Sequence, residues 1–429
     1  MISKTLKMAT QLMLILLAGI LIGFLLLSAV YVLPVEPMRQ HVMASIPAWN
    51  GEWGKEDSYE QLVSGYITTQ LDNSTDAAMM LAAIHEDEQS VFVQAAEGRN
   101  YTGGGNAFLT LLEMAKGNEM QSVSVARYWH GYLVLLKPLL LVMSYLDIRM
   151  LLMLVQGAML AAVIAGLVKN QLERLVPAFL ISLIFITPSI TGFSLQFSTA
   201  LCTALGAMMV LLYLPRRYLD ISRISRFFLL VGMVTSYVDY LTFPVLTLGW
   251  PLCLCLYLFP ETSFRSEAKR FAVCCVCWAV GYFGMWAGKW VIAGMIGNEK
   301  WFWANLAAKI QQRSSGQSQK VAISYLDVII RVCRPFCKRA YLLVFAGIAA
   351  AWLVGSVRTR CRGVACMKAG RVIALLIIAL MPFVWYFVTK NHSYDHAFFT
   401  SRTLSVSAFA LSCLMMDVLQ RAQKPNTNL

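Results

Sequence analysis

Gln11–Leu33 reads QLMLILLAGILIGFLLLSAVYVL, a stretch without a single charge that follows Lys4 and Lys7. A helix needs about 20 apolar residues to span the hydrocarbon core of a bilayer, whereas the apolar core of a cleaved leader runs only about 7 to 15. The stretch is therefore expected to be a retained first membrane helix. Runs of the same kind recur near 150–168, 175–190, 195–214, 227–241, 244–259, 271–296, 340–357, 372–389 and 403–418. Hydrophobic residues make up 58% of the 429-residue chain and charged ones 14%, against about a quarter charged in soluble domains. Mean hydropathy is +0.61. The expected fold is all-α and polytopic, with about ten transmembrane helices and a large, mostly helical first extracytoplasmic loop. It divides into a first transmembrane helix at 1–33, the extracytoplasmic loop with interfacial helices at 34–149, and a multi-helix transmembrane domain at 150–429 with an outer loop at 298–339.

The apolar stretch Tyr132–Tyr145 decides the parity. It is short, contains Lys137-Pro138 and follows the aromatic Tyr128-Trp129-His130, so it is read as lying at the membrane surface rather than crossing. With the N-terminus in the cytoplasm, Lys169–Arg174, Pro215–Arg226, Pro260–Arg270 and Arg358–Arg371 then fall inside with both chain ends, and half of the 36 Lys and Arg lie there. A crossing stretch puts Arg216, Arg217, Arg358, Arg360 and Arg362 outside, against the tendency of short cytoplasmic loops to collect basic residues. Pro34–His130 has the opposite balance, holding 13 of the 23 acidic residues and five Lys and Arg. Its Gly103-Gly104-Gly105 break and the spacing of Ala107–Met120 predict a mostly helical cap.

The net charge of +13 could suggest nucleic acid, but the basic residues are scattered between apolar spans as in the cytoplasmic loops of a membrane protein, so no nucleic-acid partner is expected. Cys202, Cys253, Cys255, Cys274, Cys275, Cys277 and Cys413 fall in apolar runs, and none of the eleven cysteines lies in the large loop, so no disulfide framework is expected. Cys333 with Cys337, and Cys361 with Cys366, lack the further Cys or His of a zinc site. Asn298–Arg339 breaks the charge pattern, carrying Lys300, Lys309, Arg313, Lys320, Arg331, Arg334, Lys338 and Arg339 on the expected outer side. Either a loop of this length escapes the charge rule, or the cluster is an anion site for phosphate.

Asp72 and Asp76 share one face if a helix begins at Asp72-Asn73-Ser74-Thr75-Asp76. Such a pair holds a divalent cation or supplies a general base; equally, Asp72 caps the helix and Asp76 favours its positive end. His85-Glu86-Asp87-Glu88 reads as a solvated acidic turn. Trp385–Arg402 crowds Lys390, Asn391, His392, Asp395, His396 and Arg402 at one membrane boundary, where ionisable groups are costly without a purpose. The forked donors of Arg402 suit a phosphate that His392 or His396 shares; the alternative is a polar turn anchoring two helices. Asp239 and Tyr240 are expected where the fifth span emerges, and Thr187–Gln196 as a hydroxyl-rich hairpin. Lys137 and Lys289, in apolar runs, are expected to snorkel. In the ten-span order Asp72, Asp76, Arg127, His130, Asp239, Tyr240, His392, His396 and Arg402 share the extracytoplasmic side, an arrangement suited to an anionic lipid head.

This arrangement resembles a bacterial branch of the GT-C superfamily of membrane glycosyltransferases. The likeness rests on the first span, the long early loop and four motifs: Asp72-Asn73-Ser74-Thr75-Asp76, Arg127-Tyr128-Trp129-His130-Gly131-Tyr132, Tyr237-Val238-Asp239-Tyr240-Leu241-Thr242-Phe243-Pro244, and Asn391-His392-Ser393-Tyr394-Asp395-His396 with Arg402. The resemblance implies inverting transfer of a sugar from a polyprenyl-phosphate donor to a glycan or lipid-linked acceptor. The reaction belongs to the outer face of a bacterial inner membrane, in cell-envelope glycan or polysaccharide synthesis. It implies an acidic base in the first loop, Asp72 or Asp76 with Asp72 preferred, and Arg402 with His396 and His392 on the departing phosphate. Some members of the family use a divalent cation, Mg or Mn, in this loop and others do not; the chain lacks the acid-x-acid pair directly after the first span. The rival readings are a polymerase or ligase of lipid-linked polysaccharide, which usually carries its largest loop late in the chain, and a transporter or flippase. The latter calls for repeated halves and mid-membrane charges.

Overall fold

The computed structural model describes residues 2–52, 59–103, 105–214, 220–261, 263–298, 300–318, 321–358 and 369–422. Gly104, Arg216, Arg217, Lys320, Arg360, Cys361, Arg362 and Cys366 lie outside the described residues. After α1 (Ile2–Val30) comes a cap of α2 (Val35–Glu52), α3 (Asn73–Ala83), α4 (Val91–Glu97) and α5 (Ala107–Ala115), with an antiparallel pair β1 (Asn100–Thr102) and β2 (Gln121–Val123). Next is α6 (Leu133–Leu140), the Tyr132–Tyr145 stretch. Its 8 residues reach about 12 Å, too short to cross a bilayer.

The chain continues through α7 (Tyr145–Lys169), α8 (Leu175–Ile186), α9 (Pro188–Thr191), α10 (Leu195–Tyr213), α11 (Ile221–Val238), α12 (Leu246–Leu258) and α13 (Phe264–Ile296). A long connection follows, with α14 (Phe302–Ser314), the hairpin β3 (Gln317–Ser318) and β4 (Val321–Ala322), and α15 (Tyr325–Cys333). The last elements are α16 (Arg339–Arg358), α17 (Ala369–Val388), α18 (Lys390–Asp395), α19 (Ala397–Thr400) and α20 (Leu404–Ala422). Among the described residues, 8 helical stretches are long and apolar enough to cross a membrane: α1, α7, α10, α11, α13, α16, α17 and the run through α19 and α20. α8 and α12 are apolar but shorter, at 12 and 13 residues. The chain is an all-α, multi-pass membrane protein.

Burial follows composition. α12 is apolar on every side and buried along its whole length, as expected of a helix at the centre of a bundle. α16 is as apolar, yet none of its apolar window is buried, so its solvent is lipid. α11 and α13 approach closely at paired glycines: a Cβ on Gly232 would stand 2.1 Å from the Trp278 carbonyl oxygen, and one on Gly281 2.1 Å from that of Leu229. Without a hydrophobic force between helices in lipid, such close backbone packing supplies the association.

Loop contacts sort the helix ends into two sets. At one end Asp417 accepts from the Tyr257 hydroxyl at 3.1 Å and lies 3.2 Å from Arg174 and 3.7 Å from Arg371. At the other, which we term the Asp72 end, the cap interlocks with the bundle. Lys137 and Lys289 do not snorkel, contrary to expectation, because both are buried as helix caps. Lys137 donates to the Ala83 carbonyl at 2.7 Å, ending α3; Lys289 donates to Ala95 and Ala96 at 2.7 and 2.8 Å, ending α4. A cation on the last carbonyls satisfies the helix's spare acceptors and its negative end. His85 likewise is not part of a solvated turn: it is buried against the Tyr101 ring, 2.8 Å from the Ser122 hydroxyl.

Candidate functional site

The two acidic residues four apart have parted roles. Asp72 is the N-cap of α3, accepting from the Thr75 amide at 2.9 Å and the Thr75 hydroxyl at 2.8 Å. A carboxylate has about four acceptor positions, so capping leaves Asp72 with capacity to take a proton. Burial pushes its carboxyl up to about 6, with the charge of Asp76 adding to the effect against the Thr75 bonds. That value suits a base working near neutrality.

Asp76 serves a different helix from the one it was expected to favour. Both its oxygens face the start of α10, accepting from the amides of Leu195 and Gln196 at 2.9 and 3.0 Å, the Ser194 hydroxyl at 3.1 Å and the Tyr145 hydroxyl at 2.9 Å. With four donors on it and 1% of its surface exposed, Asp76 is a buried tie between cap and bundle rather than a base. The pair therefore does not converge as a ligand set for Mg or Mn, and no three His, Cys, Asp or Glu converge on a metal site among the described residues.

Arg402 is also committed. Its guanidinium, 1% exposed, donates to the carbonyls of Ile186, Phe398 and Thr68 at 3.2, 2.7 and 2.9 Å and lies 4.5 Å above the Phe197 ring. The expected phosphate role is contradicted by this geometry: Arg402 satisfies carbonyls of α8, α19 and the cap, which no water reaches. Asp239 ends α11 and accepts from the Thr242 amide at 3.0 Å, from the Thr242 hydroxyl, and from Thr199 at 3.4 Å. It holds the turn that presents Tyr240.

Arg127, His130, Tyr240 and His392 meet in an aromatic and basic knot. The Tyr240 ring stacks on Tyr128 at 4.8 Å. Arg127 lies 5.3 Å over the Tyr128 ring, and Arg313 donates to the Tyr128 hydroxyl at 2.7 Å. Arg313 also reaches His392 Nδ1, while His392 Nε2 meets the Leu241 carbonyl at 2.9 Å. The carbonyl needs a donor and the guanidinium an acceptor, so His392 is the neutral Nε2–H tautomer. Both ring nitrogens are thus engaged and His392 is not free to hold a phosphate. His130 is engaged likewise, by the Tyr132 hydroxyl at 2.9 Å and the Val125 carbonyl at 3.2 Å; burial and the Lys289 charge hold it down at about 3.

His396 alone of the expected phosphate ligands faces open space. It lines a cavity of about 510 Å³ with Tyr59, Gln70, Arg331, Arg334, Lys338 and Asp395, within the range of about 300 to 1,000 Å³ common for ligand sites. Asp72 lies behind one wall: the Tyr59 hydroxyl bonds to Ser74 and feels the Asp72 charge, and its ring meets Phe398 edge-on at 5.8 Å. Burial, with the Arg313 charge, brings His396 down to about 4. A second cavity of about 450 Å³ runs between α6, α7, α10 and α11, apolar but for Ser198, Thr199, Thr203 and the Tyr132 hydroxyl.

The site residues that the motifs leave out are Tyr59, Arg313, Arg331, Arg334 and Lys338. The four cations belong to the basic segment Asn298–Arg339, whose anomalous charge was their one signal, and Tyr59 had none. No family model, curated protein or solved structure matches the chain.

Proposed function

We propose that the chain is an inverting glycosyltransferase that moves a sugar from a polyprenyl-phosphate donor to a glycan or lipid-linked acceptor at the outer face of a bacterial inner membrane. The observation that carries the reading is the 510 Å³ cavity that brings three cations of the outer segment to the wall behind which Asp72 is buried. With α8 and α12 counted as spans the chain crosses ten times, and the Asp72 end is extracytoplasmic with both termini inside. That orientation puts the acid-rich cap outside and Arg174 and Arg371 inside, in keeping with the bias of basic residues to the cytoplasm.

In the reaction the acceptor hydroxyl oxygen attacks the anomeric carbon of the donor as its proton passes to Asp72 across the Tyr59 wall of the cavity. The bond from that carbon to the phosphate oxygen breaks, and its electron pair leaves on the phosphate, so the configuration inverts. Arg331, Arg334 and Lys338, with His396 beside them, stabilise the departing anion, the role sequence alone gave to Arg402. Membranes carrying the wild-type protein or Asp72→Asn at matched expression, supplied with a panel of radiolabelled polyprenyl-phosphate sugars, test it. Transfer by the wild type that is lost in the variant supports the reading; no transfer from any donor overturns it.

A further inference from the structure

The charge of the cavity, taken on the lipid-linked reading above, names the carrier. Arg331, Arg334 and Lys338 follow at spacings of three and four through the end of α15 and the turn beyond it, and all three line the cavity. None of them forms an ion pair with a carboxylate among the described residues. Asp395 is the one acid among the described lining residues, and its oxygens are taken by the Ser318 hydroxyl and the Asn391 amide. His396, stacked on Phe399 and with the His392 ring tilted against it, is held neutral near pH 7 by burial. The described lining is therefore left with two positive charges in excess.

The cavity also stands at the head of α16, the span least covered by the rest of the protein. Pro335 and Lys338 line it, Phe336 packs on Phe185 and Tyr341, and Leu342 and Leu343 are 52% and 74% exposed just beyond. A lipid whose tail lies along Leu342 and Leu343 delivers its head to the three cations.

A sugar joined through a phosphate diester brings one negative charge and one joined through a diphosphate diester brings two. We infer that the donor is carried on a diphosphate, with Arg331, Arg334 and Lys338 holding its two phosphoryl groups. The excess charge then matches the ligand, and two adjacent phosphoryl groups engage three donors better than one does.

The test uses the full chain in lipid nanodiscs and four probes in titration calorimetry: farnesyl methyl phosphate, farnesyl methyl diphosphate, inorganic phosphate and inorganic pyrophosphate. The wild type should bind the farnesyl diphosphate diester about tenfold more tightly than the monophosphate diester, the gain of one further charge-assisted contact. Arg334→Gln and Lys338→Gln should each bring the two lipids to within about threefold, with unfolding temperature unchanged because both side chains are exposed. Equal affinity of the wild type for the two lipids overturns the diphosphate assignment and leaves the lipid-phosphate reading standing. Binding of neither lipid overturns both. Pyrophosphate bound as tightly as its farnesyl diester removes the tail from recognition and overturns the lipid part.

Discussion

The two ends of the bundle treat charge in opposite ways. At the Asp417 end a buried carboxylate gathers Arg174, Arg371 and Tyr257, and the guanidiniums of both arginines lie over the Tyr257 ring at 5.2 and 4.9 Å. The cations are answered within the protein, and what they hold together is α7–α8, α12, α17 and α20. At the Asp72 end Arg331, Arg334 and Lys338 face a cavity without a carboxylate partner among the described residues. Charge that the protein neutralises itself is fixed in the fold, whereas the charge at the cavity is left open. The two ends should therefore respond differently to the same kind of substitution.

The sharpest break lies at Asp72. Asp72→Asn keeps an acceptor for the Thr75 amide, since Asn caps helices about as well as Asp, but cannot take a proton. Transfer should fall by about 10²- to 10⁴-fold, the usual worth of a general base, with the variant unfolding no earlier than the wild type at pH 7. A variant with full transfer reduces Asp72 to a cap. At the opposite end Asp417→Ala should leave transfer per folded molecule intact but destabilise the protein by about 3 kcal/mol, because two cations lose their acid at a largely buried position. Thermal unfolding in one detergent measures it, and an equal loss of transfer by folded molecules would erase the contrast between the ends.

The two ends were not equally legible. The long apolar helices, the shortness of the helix in Tyr132–Tyr145 and the capping by Asp72 follow from local rules of length, hydropathy and spacing, which need no knowledge of contacts. The committed roles of Asp76 and Arg402 do not, because their partners lie far along the chain: Leu195 and Gln196 for one, Thr68 and Ile186 for the other. A buried arginine on three carbonyls and one open to phosphate look the same in a sequence. Lys137 and Lys289 misled for the same reason, since snorkelling is a local expectation and their acceptors are helix ends of the cap. The basic segment Asn298–Arg339 was visible as an anomaly of charge, but its approach to His396 was not.

Lys289→Met probes how the cap is held. It keeps the apolar stem and removes the two bonds to Ala95 and Ala96, leaving the last carbonyls of α4 buried. A loss of about 2 kcal/mol is expected, since charge-assisted bonds and a helix end are forfeited together. Limited proteolysis of the cap should quicken before the membrane helices unfold. Unchanged proteolysis would mean that the cap holds to the bundle through its other ties, Asp76 foremost.

The smallest expected effect is the dependence of transfer on pH. A base at Asp72 works only when ionised, and burial has raised its carboxyl to about 6. Transfer should therefore rise with pH through about 6 and level off above 7, standing about tenfold lower at pH 5 than on the plateau, while the residual rate of Asp72→Asn stays flat. Linkage sets the opposite trend for stability. A carboxyl raised above its ordinary value favours the folded state while protonated, and that contribution is lost as pH rises through 6. Wild type should thus lose stability relative to Asp72→Asn between pH 4 and 7, just as it gains activity. A rate that rises while the stability difference stays constant would assign the limb to another group. The opposed trends of activity and stability in one residue are what separate a base from a cap.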